Sequence, residues 1–240
     1  MEDLKIYNLD RRYANLFDKE DMIAGRKNGK WKKYSCSEYI QTSDAIGSGL
    51  LNLGLTKGDK VCIISSNRTE WSLCDMGINK IGGINTPLYS NITRSDYKYI
   101  IHDSEAKLIF VENEEIFKKI EGLENEVPTL QFIYSFEKIE NVKSWEDLIE
   151  SGITKPQNDK MEKIQKSITD DDLFTLIYTS GTTGKPKGVM ITHANIISQI
   201  AALKYTLDWG KNDRAISFLP LSHVFERMVE YFYMFKGVSI

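Results

Sequence analysis

The stretch that decides the fold is residues 173–195, which read LFTLIYTSGTTGKPKGVMITHAN. Residues 173–178 form an apolar run with the length and the β-favouring side chains of a buried strand. A second short apolar run, residues 189–191, follows after a segment of glycine, hydroxyl and lysine residues. The sequence therefore predicts two strands joined by a polar, glycine-containing loop.

The composition of this loop suits a polyphosphate. Gly181 and Gly184 permit positive φ and close approach of the backbone, so that consecutive N–H groups can face one anion. Hydroxyl donors and positive charges accompany them: Thr179, Ser180, Thr182, Thr183, Lys185 and Lys187. Such residues also form ordinary surface turns, but their order between two strand-like runs favours an anion-binding loop.

The kinase-type phosphate loop does not match this segment. That motif has four residues between its glycines and opens a helix. Here two residues separate Gly181 from Gly184, and a strand-like run comes next. The loop is therefore predicted to bind phosphates from a strand–loop–strand unit.

Length and composition are typical of a soluble globular protein. The chain has 240 residues, of which 41% are hydrophobic and 27% charged, enough for a sizeable core. The net charge of -3 gives no reason to propose nucleic acid as a partner. Three cysteines without Cys-x-x-Cys spacing indicate neither a disulfide framework nor a zinc site. Because no segment has the pattern of a signal peptide or a membrane span, the sequence predicts a cytoplasmic protein.

The segments before the loop alternate between strand-like and helix-like patterns. A hairpin is predicted over residues 22–34, and an amphipathic helix over 37–53, in which Gly47 and Gly49 are interpreted as sites of close helix packing. Further strands are predicted over 60–65, 83–88, 107–111 and 130–134, and further helices over 69–80, 94–102 and 114–121. This alternation predicts an α/β fold with a mostly parallel sheet layered between helices.

The rest of the chain carries weaker signals. Residues 136–172 are predicted to be a connection at the rim of the sheet with one short helix over 145–150. Beyond the loop, Thr192 is predicted to cap a helix that ends near Leu207, residues 214–218 to form a strand, and Ser222 to cap a last helix. We predict a first subdomain over residues 1–172, including the hairpin, and the start of a second over 173–240.

Two motifs carry a family resemblance. Residues 176–187 resemble the phosphate-binding signature of the AMP-forming adenylate-forming superfamily, which includes acyl-CoA synthetases, luciferases and peptide-synthetase adenylation domains. Residues 218–227, FLPLSHVFER, resemble the second motif of that superfamily in the form typical of long-chain fatty acyl-CoA synthetases. Residues 58–71 and 82–89 resemble the same subfamily. The resemblance extends from about residue 21 to the end and implies the N-terminal part of the large domain.

The resemblance implies a two-step reaction. A fatty acid carboxylate attacks the α-phosphate of ATP to give an acyl-adenylate and pyrophosphate, and the CoA thiol then displaces AMP to give a thioester. His223 is implied to lie beside the acyl carboxylate, and Thr179 to contact Mg²⁺. The residues implied to bind the β- and γ-phosphates are Thr179, Ser180, Gly181, Thr182, Thr183, Gly184 and Lys187.

Several alternatives stay open. Superfamily members are much longer than this chain, so the resemblance implies that residues 1–240 alone form no acyl-CoA. A non-catalytic nucleotide-binding module is one alternative, and a ligase that passes the acyl group to a carrier protein is another. The length of the acyl chain, a homodimer, and peripheral contact with the inner face of a membrane are also open.

Overall fold

The computed structural model describes residues 4–27, 29–179 and 184–240. In chain order, the described strands are β1 (Ile23–Lys27), β2 (Lys30–Tyr34), β3 (Lys60–Ile64), β4 (Ile84–Leu88), β5 (Leu108–Val111), β6 (Phe132–Ser135), β7 (Lys143–Ser144), β8 (Leu173–Thr179) and β9 (Lys187–Thr192). The described α-helices are α1 (Leu9–Phe17), α2 (Cys36–Asn52), α3 (Thr69–Lys80), α4 (Arg94–Asp103), α5 (Glu114–Ile120), α6 (Trp145–Thr154), α7 (Asn158–Ser167), α8 (His193–Leu203) and α9 (Val224–Lys236).

Seven strands form one sheet in the order β7-β6-β5-β3-β4-β8-β9. Every neighbouring pair from β7 to β8 is parallel, and only β8 and β9 are antiparallel. Parallel strands need crossover connections, which the helices between them supply. The predicted α/β class with a mostly parallel sheet is confirmed, and β1 and β2 form the predicted hairpin as a separate antiparallel pair.

Alternate residues of the central strands enter two different cores. On β3, Val61 and Ile63 belong to the larger core, whereas Cys62 and Ile64 belong to the smaller one. The larger core lies under α2, α3, α6, α8 and α9, and the smaller one under α4 and α5. Because side chains alternate between the two faces of a strand, this division gives a sheet covered by helices on both sides.

Small residues allow α2 to pack closely on its neighbours. A Cβ atom at Gly49 would lie 2.4 Å from the carbonyl oxygen of Leu148 in α6, and one at Gly47 would lie 3.3 Å from that of Gly77 in α3. The interpretation of these two glycines as sites of close helix packing is therefore correct.

The structure differs from the predicted secondary structure at five points. The helices α1 and α7 were not predicted, and α8 ends at Leu203 rather than near Leu207. Residues 214–218 do not form a strand, because only Arg214 finds a partner, in an isolated bridge to Ser239. Ser222 does not cap α9; His223 is the N-cap.

The predicted boundary at residue 172 falls inside this architecture. Strands β8 and β9 extend the sheet that β3 to β7 begin, and the division into two subdomains stays a prediction. Across the described ranges, every helix is too short or too polar to cross a bilayer.

Candidate active site

The base of the predicted phosphate loop joins two of the candidate residues. Thr179 ends β8, Lys187 begins β9, and the two are direct partners in the antiparallel register. Directly opposed residues of an antiparallel pair project from the same face of the sheet. Both residues are exposed, so a hydroxyl and an ammonium group flank one side of the loop base.

The remaining loop candidates divide into two groups. Gly184 has a φ of 88°, in the left-handed region that favours glycine. Ser180, Gly181, Thr182 and Thr183 lie outside the described residues.

Both flanks of the loop contact one face of α4. The Tyr178 hydroxyl donates to Asp103 Oδ2 at 2.7 Å, and Lys185 Nζ lies 5.4 Å from the centroid of the Tyr99 ring. Tyr99 and Asp103 are four residues apart on α4 and therefore share a face. Burial, with a further contribution from the Asp103 carboxylate, raises the pKa of Tyr178, so that its hydroxyl remains a donor. Sequence reasoning missed this support; its only trace in the sequence is the spacing of Tyr99 and Asp103.

Asn67 holds the segment that leads to His223. Its Nδ2 donates to Leu219 O at 2.7 Å and to Ser217 Oγ at 3.1 Å, and its Oδ1 accepts from Leu221 N at 2.9 Å. Asn67 follows β3, and β3 and β8 are parallel to β4 between them, so Asn67 and Thr179 both lie at the carboxyl edge of the sheet. Sequence reasoning missed Asn67, because its partners are about 150 residues away.

His223 caps α9 with its own ring. Its Nδ1 accepts a hydrogen bond from Phe225 N at 3.2 Å, and its backbone N–H donates to Pro220 O at 2.8 Å. A ring nitrogen that accepts carries no proton, so the neutral imidazole bears its proton on Nε2. Since His223 is exposed, its Nε2–H is a donor available to an anion at the positive end of the helix dipole.

The described residues do not build a metal site by themselves. They contain no group of three or more His, Cys, Asp or Glu side chains that could hold an ion. Thr179 offers one hydroxyl oxygen, whereas Mg²⁺ takes six oxygen ligands and commonly draws several from substrate phosphates and water. The predicted contact between Thr179 and Mg²⁺ therefore stays a prediction.

A family model described as AMP-binding enzyme matches residues 9–240 of this chain. Long-chain-fatty-acid–CoA ligase ACSBG2 of Xenopus laevis is 30% identical over 94% of this chain and 32% of its own length. Fatty acyl-CoA synthetase A of Dictyostelium discoideum is 31% identical over 95% of this chain and 35% of its own length. The chain thus spans about a third of the length of the curated relatives it matches.

Solved structures share the fold. An anthranilate CoA ligase, AuaEII, in complex with anthranoyl-AMP aligns with a TM-score of 0.80 and 21% identity, over 98% of this chain and 43% of its own. The N-terminal domain of FACL13 from Mycobacterium tuberculosis aligns with a TM-score of 0.77 and 21% identity, over 98% and 56%. At these identities the alignments confirm the fold class.

Proposed function

The chain belongs to the AMP-binding enzyme family, and from that premise we propose that the complete gene product activates a fatty acid with ATP. The products of the first step would be an acyl-adenylate and pyrophosphate, and those of the second an acyl-CoA and AMP. The observation that carries the proposal is the pairing of Thr179 with Lys187 at the base of the glycine-containing loop. The names of the relatives support a long-chain acid as the substrate.

The loop would bind the β- and γ-phosphates. Lys187 and Thr179 project from one face at the end of the sheet, where an ammonium group and a hydroxyl group can both contact phosphate oxygens. Their role would be to spread the negative charge that moves onto the leaving pyrophosphate. Anchorage of Tyr178 and Lys185 on α4 would keep the loop base in place while the nucleotide exchanges. Mg²⁺ would enter with the triphosphate and supply charge neutralisation there.

His223 would orient the fatty acid carboxylate. Its Nε2–H can donate one hydrogen bond to a carboxylate oxygen, while Nδ1 stays occupied by the Phe225 N–H. A donor at this position leaves the second carboxylate oxygen free to attack the α-phosphate in line. His223 is therefore proposed as an orienting donor and not as a general base.

Pyrophosphate exchange tests the proposal. The complete gene product should incorporate labelled pyrophosphate into ATP only when a fatty acid is present, most strongly with a long-chain acid. Lys187→Ala should lower that rate by about 10²–10³. Lys33→Ala, which removes an exposed lysine of β2, is the matched control and should leave the rate unchanged. ATP binding without exchange for any acid would instead indicate the non-catalytic nucleotide-binding module.

A further inference from the structure

A buried polar cluster joins α3 to α9. The Asp75 carboxylate accepts from Arg227 Nη2 at 2.5 Å and from Arg227 Nε at 3.1 Å, a two-pronged contact. It also accepts from Asn85 Nδ2 at 2.7 Å and from the Tyr231 hydroxyl. All four side chains are buried, and we call them the Asp75 cluster. The Arg227 guanidinium in turn lies 4.2 Å from the centroid of the Phe174 ring on β8.

The cluster lies along the helix that His223 begins. Arg227 and Tyr231 follow His223 by four and eight residues, so they lie about one and two turns along α9 from the residue that caps it. The Arg227 backbone N–H also donates to the His223 carbonyl oxygen at 3.4 Å. A rotation or shift of Arg227 would therefore change the direction of the His223 ring.

Stability alone gives little reason for such a cluster. A buried ion pair is often no more stabilising than apolar side chains of the same volume, because both charges lose their hydration. Arg227 Nη1, Asn79 Oδ1 and Asn85 Oδ1 have no protein partner among the described residues, and unpaired buried polar atoms are unfavourable. The Asp75–Arg227 pair instead constrains geometry, because a two-pronged guanidinium–carboxylate contact fixes both the distance and the angle between the two groups.

We propose that Asp75 and Arg227 are positioning residues for His223. Their contact holds α9 against α3 in one rotation about the helix axis, and this rotation sets the direction in which His223 presents Nε2–H to the acyl carboxylate. The inference rests on the proposed function, since it requires His223 to meet that carboxylate. Neither side chain touches the substrate; both act through the first two turns of α9.

The activity test uses the complete gene product. Asp75→Asn should lower kcat for fatty-acid-dependent pyrophosphate exchange at least tenfold, with KM for ATP changed less than twofold. Combined with His223→Ala, it should cause no further loss, because residues that act through one group are not additive. Tyr231→Phe removes only the hydroxyl, which donates to Asp75 and accepts from Arg227 Nε and Asn79 Nδ2, and keeps the ring against Phe174. It is the variant to use if Asp75→Asn does not fold, and its expected loss is several-fold.

Lys80→Met is the matched control. Lys80 lies on the same helix as Asp75, is fully buried, and contacts Asp10 and Asp44 at 2.5 Å each. Its loss should lower the melting temperature and leave kcat unchanged at temperatures where the variant is folded. An equal loss of kcat in Asp75→Asn and Lys80→Met, or multiplying effects of Asp75→Asn and His223→Ala, would overturn the proposal.

Hydrogen exchange separates this inference from the proposed function. Without any substrate, Asp75→Asn should speed amide exchange at Phe225 and Arg227 at least tenfold, and Lys80→Met should not. If this response appears but no acid supports pyrophosphate exchange, the proposed function fails while the control of the His223 direction stands. If amide hydrogen exchange at Phe225 and Arg227 is unchanged in Asp75→Asn, the inference is wrong, whatever the activity measurements show.

Discussion

Burial shifts the pKa values of two titratable side chains, Glu230 and His193, in the direction that favours their uncharged forms. Burial raises the pKa of Glu230 from its ordinary value of 4.5 to about 7. Burial also lowers the pKa of His193 from 6.5 to about 4, and its ring packs edge-on against Phe174. Each displacement corresponds to about 3 kcal/mol, at about 1.4 kcal/mol per pKa unit. As pH rises, the two residues therefore change the free energy of unfolding by about the same amount, Glu230 downward and His193 upward.

The pH dependence of stability should be nearly flat in the wild type, as far as these two groups decide it. Between pH 4.5 and 7 the folded chain keeps the Glu230 proton that the unfolded chain has released, so this contribution falls as pH rises. Between pH 4 and 6.5 the unfolded chain binds a proton at His193 that the folded chain does not, so this contribution rises. Relative to the wild type, Glu230→Gln should gain stability toward pH 7, and His193→Gln should gain stability toward pH 4. Free energies of unfolding in urea across this range check both slopes, and profiles parallel to that of the wild type would refute them.

Capping and substrate contact can be separated at His223. His223→Ala removes the acceptor for Phe225 N and should reduce the free energy of unfolding by about 1 kcal/mol. His223→Ser restores a cap but is too short to present a donor where Nε2 lies. Both variants should lose adenylate formation in the complete gene product by at least about tenfold, with ATP binding retained. Recovery of both stability and activity in His223→Ser would reduce His223 to a cap.

Close contact between helices is what fixes α2 in the layer on one side of the sheet. A Cβ at Gly152 of α6 would lie 1.8 Å from the Ala45 carbonyl oxygen of α2, which is backbone and has no rotamer to adopt. The contacts at Gly47 and Gly49 are on the same helix. The position of α2 therefore depends on small residues from three helices.

Gly152→Ala should destabilise the chain by at least about 2 kcal/mol, because overpacking forces the backbone of α6 away from α2. Gly210→Ala is the control, since a Cβ there meets nothing within 4 Å. Equilibrium unfolding in urea measures both variants. A Gly152→Ala variant as stable as Gly210→Ala would show that the two helices separate without loss.

Sequence patterns predicted correctly those helices and strands whose own residues determine where they begin and end. The helix predicted over residues 69–80 has the observed bounds, and the strand over 60–65 extends one residue beyond β3. In contrast, α7 has a single buried residue, Met161, so its apolar period is too sparse to read from the sequence. Residues 214–218 have a strand-like composition, but a strand requires a partner, and Ile216 is 82% exposed.

The same distinction applies to the site. The loop residues and His223 were predicted as site residues because they lie in contiguous motifs. Asn67 and the Asp75 cluster were not, because Asp75 and Arg227 are 152 residues apart. The choice between Ser222 and His223 as the cap depends on which side chain reaches the Phe225 N–H, and that is a matter of geometry. Sequence patterns therefore predicted groups to meet the substrate, which stays a prediction, and missed the side chains that hold the neighbouring segments in place.

At the scale of the whole molecule, one edge of the sheet collects the candidate groups. Thr179 ends β8 there, and Asn67 follows β3 and holds residues 217–221 just before His223. Parallel strands produce this arrangement, because their carboxyl ends share an edge. The chain nevertheless spans about a third of its relatives' length.

Residues 1–240 on their own should fold and yet form no acyl-CoA from ATP, CoA and palmitate. Folding is expected because both apolar cores are built from residues within the described chain. Activity is not expected because loss of one charge-stabilising group commonly lowers the rate by about 10²–10³, and the described residues offer few such groups.

Mass-spectrometric detection of palmitoyl-CoA checks this expectation, with Lys187→Ala of the same polypeptide prepared in parallel. Equal product from both preparations would come from a contaminating host synthetase, because Lys187 lies at the base of the phosphate loop. Product that is formed by the wild-type polypeptide and lost in Lys187→Ala would instead mean that these 240 residues hold a complete site.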